Sequence, residues 1–311
     1  MRARLIANPS AGADRAPALL PTINERLRSI VGDLDITLTT REEDILAAAR
    51  RAAGGECDLL FVAGGDGTLN AAVRAVSLVP GGLERLTFGV IPTGTGNDFA
   101  KALGLGEDPE TALDALVQAN VIDVDLGQLN GRPFFNTSAG GFIAEVSATM
   151  SEELKDVAGK LAYVIGGARV LFAHDPFPVE FRADGRDPGP AVELQMFVVC
   201  NARFIGGGYP IAPGAIIDDG LLDVFMVKRT PMLEFVALLQ KVAAGDHVED
   251  ERILHFRASE LDLVFGRDLR VNTDGEVLQA THCEYRVRHR AARFLCGRET
   301  QASASPRPLM V

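Results

Sequence analysis

Short apolar runs alternate with longer helix-period patterns through the first 120 residues. Runs over 5–7, 36–38, 59–63 and 88–91 precede helical patterns over 16–30, over 42–53, from Thr68 and from Asn97. The runs are continuously apolar, as strands covered on both faces should be. Strand, turn and helix repeating in this order predict a parallel α/β sheet.

Beyond about Asp123 the texture changes. Strand patterns at 121–129 and 133–137 are followed by a long helical pattern over 142–172, then by β-type runs at 179–182, 192–199, 221–227, 261–264 and 285–287. One helix pattern, over 232–244, interrupts those runs. Strand after strand without a crossover helix predicts an antiparallel second domain. The expected division is therefore 1–123, 124–298 and a polar tail over 299–311 that carries Pro306 and Pro308 and should be disordered.

Composition narrows the function classes. The chain has 311 residues and a formal net charge of -11, where a protein that grips nucleic acid by its phosphates should be basic. With no Trp and three Tyr it also lacks a base-stacking platform, so nucleic acid is not an expected partner. Cys57, Cys200, Cys283 and Cys296 form no CxxC pair and have no zinc spacing, so they read as reduced buried thiols. The N-terminal apolar run is too short for a signal peptide. The stretch 158–173 carries Lys160 and Arg169 and falls short of a membrane span. The expectation is a soluble cytoplasmic protein whose membrane contact is peripheral; a homodimer is the default assembly.

Three turns at predicted strand ends carry the candidate chemistry: Asn8-Pro9-Ser10-Ala11-Gly12, Gly64-Gly65-Asp66-Gly67-Thr68-Leu69-Asn70, and Pro92-Thr93-Gly94-Thr95-Gly96-Asn97-Asp98-Phe99. Open α/β sheets bind ligands outside the carboxyl ends of their strands, so these loops should converge. Glycine lets the backbone approach phosphate oxygens, and a following helix adds its positive end. Asp66 places a carboxylate inside a phosphate-type loop, where a metal ion would be needed to offset repulsion. Asp98 has two compatible readings, in the field of that metal or, as Asn97 also could, as a cap of the following helix. The chain has no P-loop, no complete dinucleotide fingerprint, no nucleophile elbow and no zinc-protease motif.

Together these residues resemble the catalytic domain of the diacylglycerol kinase family, from Arg2 to about Arg293. The Gly-Gly-Asp-Gly-Thr string alone is shared with NAD kinases and, more loosely, phosphofructokinases; the third loop narrows the resemblance to lipid kinases. It implies an α/β nucleotide-binding domain, like those of NAD kinase and phosphofructokinase, followed by an antiparallel β-sandwich. It implies ATP contacts from Asn8, Pro9, Ser10, Ala11 and Gly12, from Thr39 (or Thr40), from Gly64, Gly65, Asp66, Gly67, Thr68, Leu69, Asn70 and Ala71, and from Thr95 with Asp98. Where the family carries a glycine before the aspartate that follows this threonine, the chain has Arg41-Glu42-Glu43-Asp44.

The resemblance also implies a magnesium-binding turn, with Asp219 and the carbonyls of Ile216 and Leu221 as ligands. Asp219-Gly220 on its own reads as a hairpin turn. In Asn272-Thr273-Asp274-Gly275-Glu276 it implies the catalytic base, Glu276 or Asp274. The implied activity is Mg2+- and ATP-dependent transfer of a phosphoryl group to a lipid hydroxyl at a membrane surface, diacylglycerol being the lead acceptor. Phe142, Phe172, Phe177, Phe204 and Ile205 are candidates for a lipid groove, although phenylalanine is usually core. The alternatives are a kinase of a soluble acceptor such as NAD and a non-enzymatic nucleotide- or lipid-binding regulator.

Overall fold

The computed structural model describes residues 2–9, 15–149, 175–186 and 189–309. Strands β1 (Arg2–Ala7), β2 (Asp33–Leu38), β3 (Leu59–Gly64) and β4 (Thr87–Pro92) pair in parallel in the order β4-β3-β1-β2. Helices α1 (Arg15–Val31), α2 (Glu42–Arg51), α3 (Asp66–Ser77), α4 (Gly82–Arg85), α5 (Asp98–Ala102) and α6 (Pro109–Val117) fill the connections. Every residue of β3 and β4 is buried, which is what their unbroken apolar sequence anticipates. The edge strand β2 departs from that rule, with Ile36 and Leu38 exposed.

Parallel pairing aligns the carboxyl ends of β1, β3 and β4. Asn8 donates its N–H to the Ala63 carbonyl (3.1 Å) and Thr93 donates to Gly64 (3.0 Å), so the three loops leave the sheet side by side. The site is thus a consequence of the sheet order.

The remaining strands are antiparallel among themselves. They are β5 (Asn120–Leu129), β6 (Arg132–Phe134), β7 (Thr137–Gly141), β8 (Phe177–Ala183), β9 (Val192–Cys200), β10 (Leu222–Lys228), β11 (Ile253–Ala258), β12 (Glu260–Thr273), β13 (Glu276–Cys296) and β14 (Arg307–Pro308). Helix α7 (Phe142–Thr149) opens the predicted 142–172 helix, whose later part lies outside the described residues. Helix α8 (Met232–Ala244) follows β10. The apolar runs at 261–264 and 285–287 are fragments of a much longer hairpin. Strand β12 has 14 residues and β13 has 21, and polar residues alternate outward along them, so a search for apolar runs sees only pieces.

The two halves share one sheet, and the expected boundary at 123/124 falls inside β5. Strand β5 runs through that point, and β13 pairs with it antiparallel over most of its length. At its far end β13 turns back to the first domain, where Arg293 and Phe294 pair in parallel with Thr87 and Phe88 of β4. Phe294 stacks on Phe88 (ring centroids 5.1 Å) and meets Phe99 edge-on at 5.2 Å. The last long strand of the chain therefore completes the first domain.

The tail expected to be disordered is held in place through Leu309. Asp218, fully buried, accepts hydrogen bonds from Ser303 N (2.5 Å), Ser303 Oγ (3.0 Å) and Ala304 N (2.8 Å), and Arg290 pairs with it at 3.4 Å. Gln301 bridges Ala102 and Ile217 through its own backbone, and Arg307–Pro308 add β14 to β5. A polar segment became structure because a buried carboxylate needed its N–H groups.

Replacing Asp218 with Ala should therefore cost about 2–4 kcal/mol, since it orphans several buried donors at once. Urea unfolding of the variant against a chain truncated after Arg298 measures this, and the two should lose similar stability.

Candidate active site

The second and third loops touch backbone to backbone. A Cβ on Gly94 would stand 2.5 Å from Gly65 Cα, so Gly94 requires glycine, and one on Gly65 would stand 3.2 Å from Gly94 Cα, which leaves a side chain little room. Asn97, at φ 55°, braces the third loop from inside. Its Oδ1 accepts Gly94 N (3.1 Å), and its Nδ2 donates to the Gly94 (2.8 Å) and Glu107 (3.0 Å) carbonyls.

Asp66, the first residue of α3, is the hub. Its Oδ2 accepts the N–H of Asp98 (3.0 Å), and its Oδ1 accepts Phe99 N (3.1 Å) and Asn136 Nδ2 (3.2 Å). The carboxylate therefore finds three N–H donors within the protein, which offset part of its charge in the phosphate-type loop. It also performs the capping that sequence had assigned to Asn97 or Asp98, by satisfying the first N–H groups of α5.

Asp98 is buried and looks the other way. Its Oδ2 accepts Gly207 N (3.0 Å), from the Gly206-Gly207-Gly208 turn after β9, while Lys101 Nζ stands 3.6 Å from Oδ1. That Oδ1 has no hydrogen-bond partner. Burial, then the neighbouring Asp66, push its pKa from the ordinary 3.8 up to about 6 against the pull of Gly207 N–H and Lys101.

The nucleotide-loop candidates fall into distinct groups. Asn8 and Pro9 are half-buried at the end of β1, while Ser10, Ala11 and Gly12 lie outside the described residues. Gly67 borders open space, and Thr95 is exposed at the tip of the third loop. Thr68 and Asn70 are buried polar residues of α3. Leu69 and Ala71 point into the core, so only their backbone is available to a ligand. Thr39 is fully buried and its hydroxyl donates to the Ala7 carbonyl (3.2 Å), whereas Thr40 is exposed. Of the two threonines, Thr40 is the one whose side chain is open to solvent.

The 272–276 turn enters from the other half of the molecule. Thr273 pairs with Glu276 across a two-residue loop, Asp274-Gly275, with φ 46° and 93°, the left-handed pair such a turn demands. Asp274 accepts N–H groups from Phe135 (2.8 Å), Asn136 (3.1 Å) and Thr137 (2.9 Å). Burial raises its pKa to about 7, opposed by these donors and aided by the Asp66 charge. Asn136 thus binds Asp66 with its side chain and Asp274 with its backbone. Phe135 packs on Phe99 at 4.6 Å. Glu276 is partly exposed and pairs with Arg74 of α3, which also holds Glu42 at the start of α2.

The 216–221 turn sits elsewhere, against β5 and β13. Asp125, buried, accepts Gly220 N (2.6 Å), Arg290 N (2.6 Å) and His289 Nδ1 (2.9 Å). Asp219 Oδ1 accepts Leu221 N (3.1 Å), and its Oδ2 pairs with Arg257, which also reaches Asp223 at 3.4 Å. Both oxygens thus have partners, one a backbone N–H and one a guanidinium. Among the described residues no group of three or more His, Cys, Asp or Glu is placed to hold a metal.

Of the groove candidates, Phe142 and Phe177 are core. Phe142 packs edge-on against Phe235 at 5.0 Å, and Phe177 against Phe265 at 5.9 Å. Phe172 lies outside the described residues. Phe204 and Ile205 are half-buried beside the triple-glycine turn, with Lys101 6.0 Å over the Phe204 ring. Sequence reasoning missed Asn136, Gly207, Arg74 and Arg257. Three consecutive glycines were a visible signal, but the other three residues sit in no motif.

Two family models match the chain: the diacylglycerol kinase catalytic domain over residues 2–129, and the YegS C-terminal NAD kinase beta sandwich-like domain over residues 138–296. A diacylglycerol kinase of Bacillus subtilis (strain 168) is 33% identical over 277 residues, spanning 88% of this chain and 89% of that one. A diacylglycerol kinase of Staphylococcus aureus (strain MRSA252) is 31% identical over 276 residues, spanning 88% and 86%. A crystal structure from Bacillus anthracis str. Sterne, provisionally described as a diacylglycerol kinase, matches with a TM-score of 0.82 at 28% identity over 96% of each chain.

The Asp98 carboxyl gives a test of the site's electrostatics. With its folded pKa raised from 3.8 to about 6, the folded protein binds the extra proton between those values, so stability falls as pH rises through that window. Asp98→Asn should lose less stability than the parent over the same window, as read from urea midpoints at the two ends.

Proposed function

The chain belongs to the diacylglycerol kinase family and is an ATP-dependent lipid kinase, and on that premise we propose how its residues divide the work. The triphosphate lies on the three loops, held by N–H groups at the start of α3 and by the backbone around Gly65, Gly94 and Thr95. An exposed helix N-terminus next to glycine loops supplies donors and a positive end for phosphate oxygens. Phosphoryl transfer asks mainly for such positioning and charge neutralisation.

Glu276 is the base. The observation that carries this is the hydrogen-bond inventory of the turn: Asp274 gives both oxygens to three backbone N–H groups, whereas Glu276 Oε2 has no partner among the described residues. Glu276 can therefore take the proton from the acceptor hydroxyl, and Asp274 holds the turn that presents it. Asn70 lines the same small cleft as Glu276 and Thr273, which brings the nucleotide loop to the proposed base.

Magnesium accompanying ATP would offset charge on the transferring group. Asp98, buried with only the Lys101 ammonium 3.6 Å from its Oδ1, is the carboxylate that would face such a cation. The Ile216, Asp219 and Leu221 turn does not fit a cation while Arg257 holds Asp219, and no step is assigned to it. The acceptor is a lipid with a primary hydroxyl, diacylglycerol first, met at a membrane surface by peripheral contact. No helix among the described residues is long and apolar enough to cross a membrane.

Transfer of labelled γ-phosphate from ATP to lipids in mixed micelles tests this, with NAD as the soluble control. Label should appear on one lipid class, and Glu276→Gln should lower kcat by about 10²–10⁴-fold. Label on NAD alone would replace the lipid reading with a soluble acceptor.

A further inference from the structure

Arg74 lies two turns into α3, the helix that begins at the nucleotide loop, and its guanidinium reaches two carboxylates at once. Nη1 bonds Glu276 Oε1 and Nη2 bonds Glu42 Oε1. The Arg74 side chain is 23% exposed, against 41% for Glu276 and 57% for Glu42, so the cation is the most sheltered of the three. Glu42 opens α2 directly after the Thr39-Thr40 segment. One side chain thus ties the proposed base, on the β12–β13 hairpin, to two helices of the nucleotide domain.

We infer that Arg74 is a positioning residue for phosphoryl transfer, holding Glu276 by one carboxylate oxygen so that the other faces the acceptor hydroxyl. The inference rests on the assignment of Glu276 as the base. A glutamate on a hairpin end has three side-chain torsions to restrain, and a planar guanidinium fork restrains both distance and direction. Glu42 supplies the second anchor, which stops the guanidinium from rotating with its partner. Asn70, one turn before Arg74, lines the cleft together with Arg74 and Glu276, so the bridge borders the space between the nucleotide loop and the base. Partly exposed ion pairs contribute little to folding, so loss of Arg74 should be read in the chemistry and hardly in stability.

A double-mutant cycle in the labelled-phosphate assay decides it, using the full chain, saturating ATP and lipid in mixed micelles. Arg74→Met should lower kcat about 10–100-fold with the ATP KM changed less than about twofold. In the Glu276→Gln background the same substitution should cost nothing further, because the two residues act as a unit. Arg74→Lys should recover part of the loss, and Glu42→Gln should cost about 2–5-fold. Full additivity in the cycle, or an unchanged kcat in Arg74→Met, overturns the inference. Should Arg74→Met fail to fold, Arg74→Lys and Glu42→Gln carry the same test. If Glu276→Gln itself leaves kcat intact, the assignment of the base fails, an outcome distinct from a failure of the positioning role.

Discussion

The carboxylate of Asp66 is the constraint on which the arrangement of the site depends. It starts α3 at the end of β3, and it accepts N–H groups from Asp98 and Phe99 at the start of α5 and from the side chain of Asn136. Loops that leave three different strands are thereby locked to one group. Buried donors without acceptors cost more than a hydrogen bond returns, so each of these N–H groups holds the others in register. Asn136 extends the lock to Asp274, whose own acceptors are filled by the Phe135, Asn136 and Thr137 backbone. The nucleotide loops and the proposed catalytic turn are joined by hydrogen bonds rather than by mere proximity.

Continuity of the sheet gives that lock something rigid to act on. Strand β13 begins at the proposed catalytic turn and ends beside the first residues of β4. Phe294 near its end fills the space between Phe88 and Phe99, while Phe135 closes the other side of Phe99. Movement of the turn relative to the loops would have to bend a paired strand or open this aromatic contact. The tail adds a second restraint, with Asp218 gathering it beneath the 216–221 turn.

Charge at the cleft is graded by what each carboxylate faces. Asp274 and Asp98 are pushed up by burial and by Asp66, which sits between them in the hydrogen-bond chain. Glu276 and Asp219 instead meet arginines, Arg74 and Arg257. Similar acid-glycine turns have thus been given different work by their neighbours: one offers a free oxygen beside the nucleotide loop, the other is closed by a guanidinium. Local motif chemistry could not separate these outcomes, because the partner lies 202 residues away in one case and 38 in the other.

Sequence by itself determined the parallel order of strand and helix in the first domain and the glycine positions at the ends of β3 and β4. Those signals are local: apolar periodicity and turn chemistry act between residues close in the chain. Asp-Gly chemistry was compatible with a two-residue turn at 219–220 and at 274–275, and only the second lies between paired strands. Tertiary structure alone decided that β13 would complete the first sheet, that the polar tail would be held by Asp218, and that Asp66 would gather N–H donors from α5 and Asn136. It decided as well that Thr39 would be buried with Thr40 outside. Each depends on pairing between segments far apart in the chain, and a buried polar group takes whichever distant donor the packed fold brings to it.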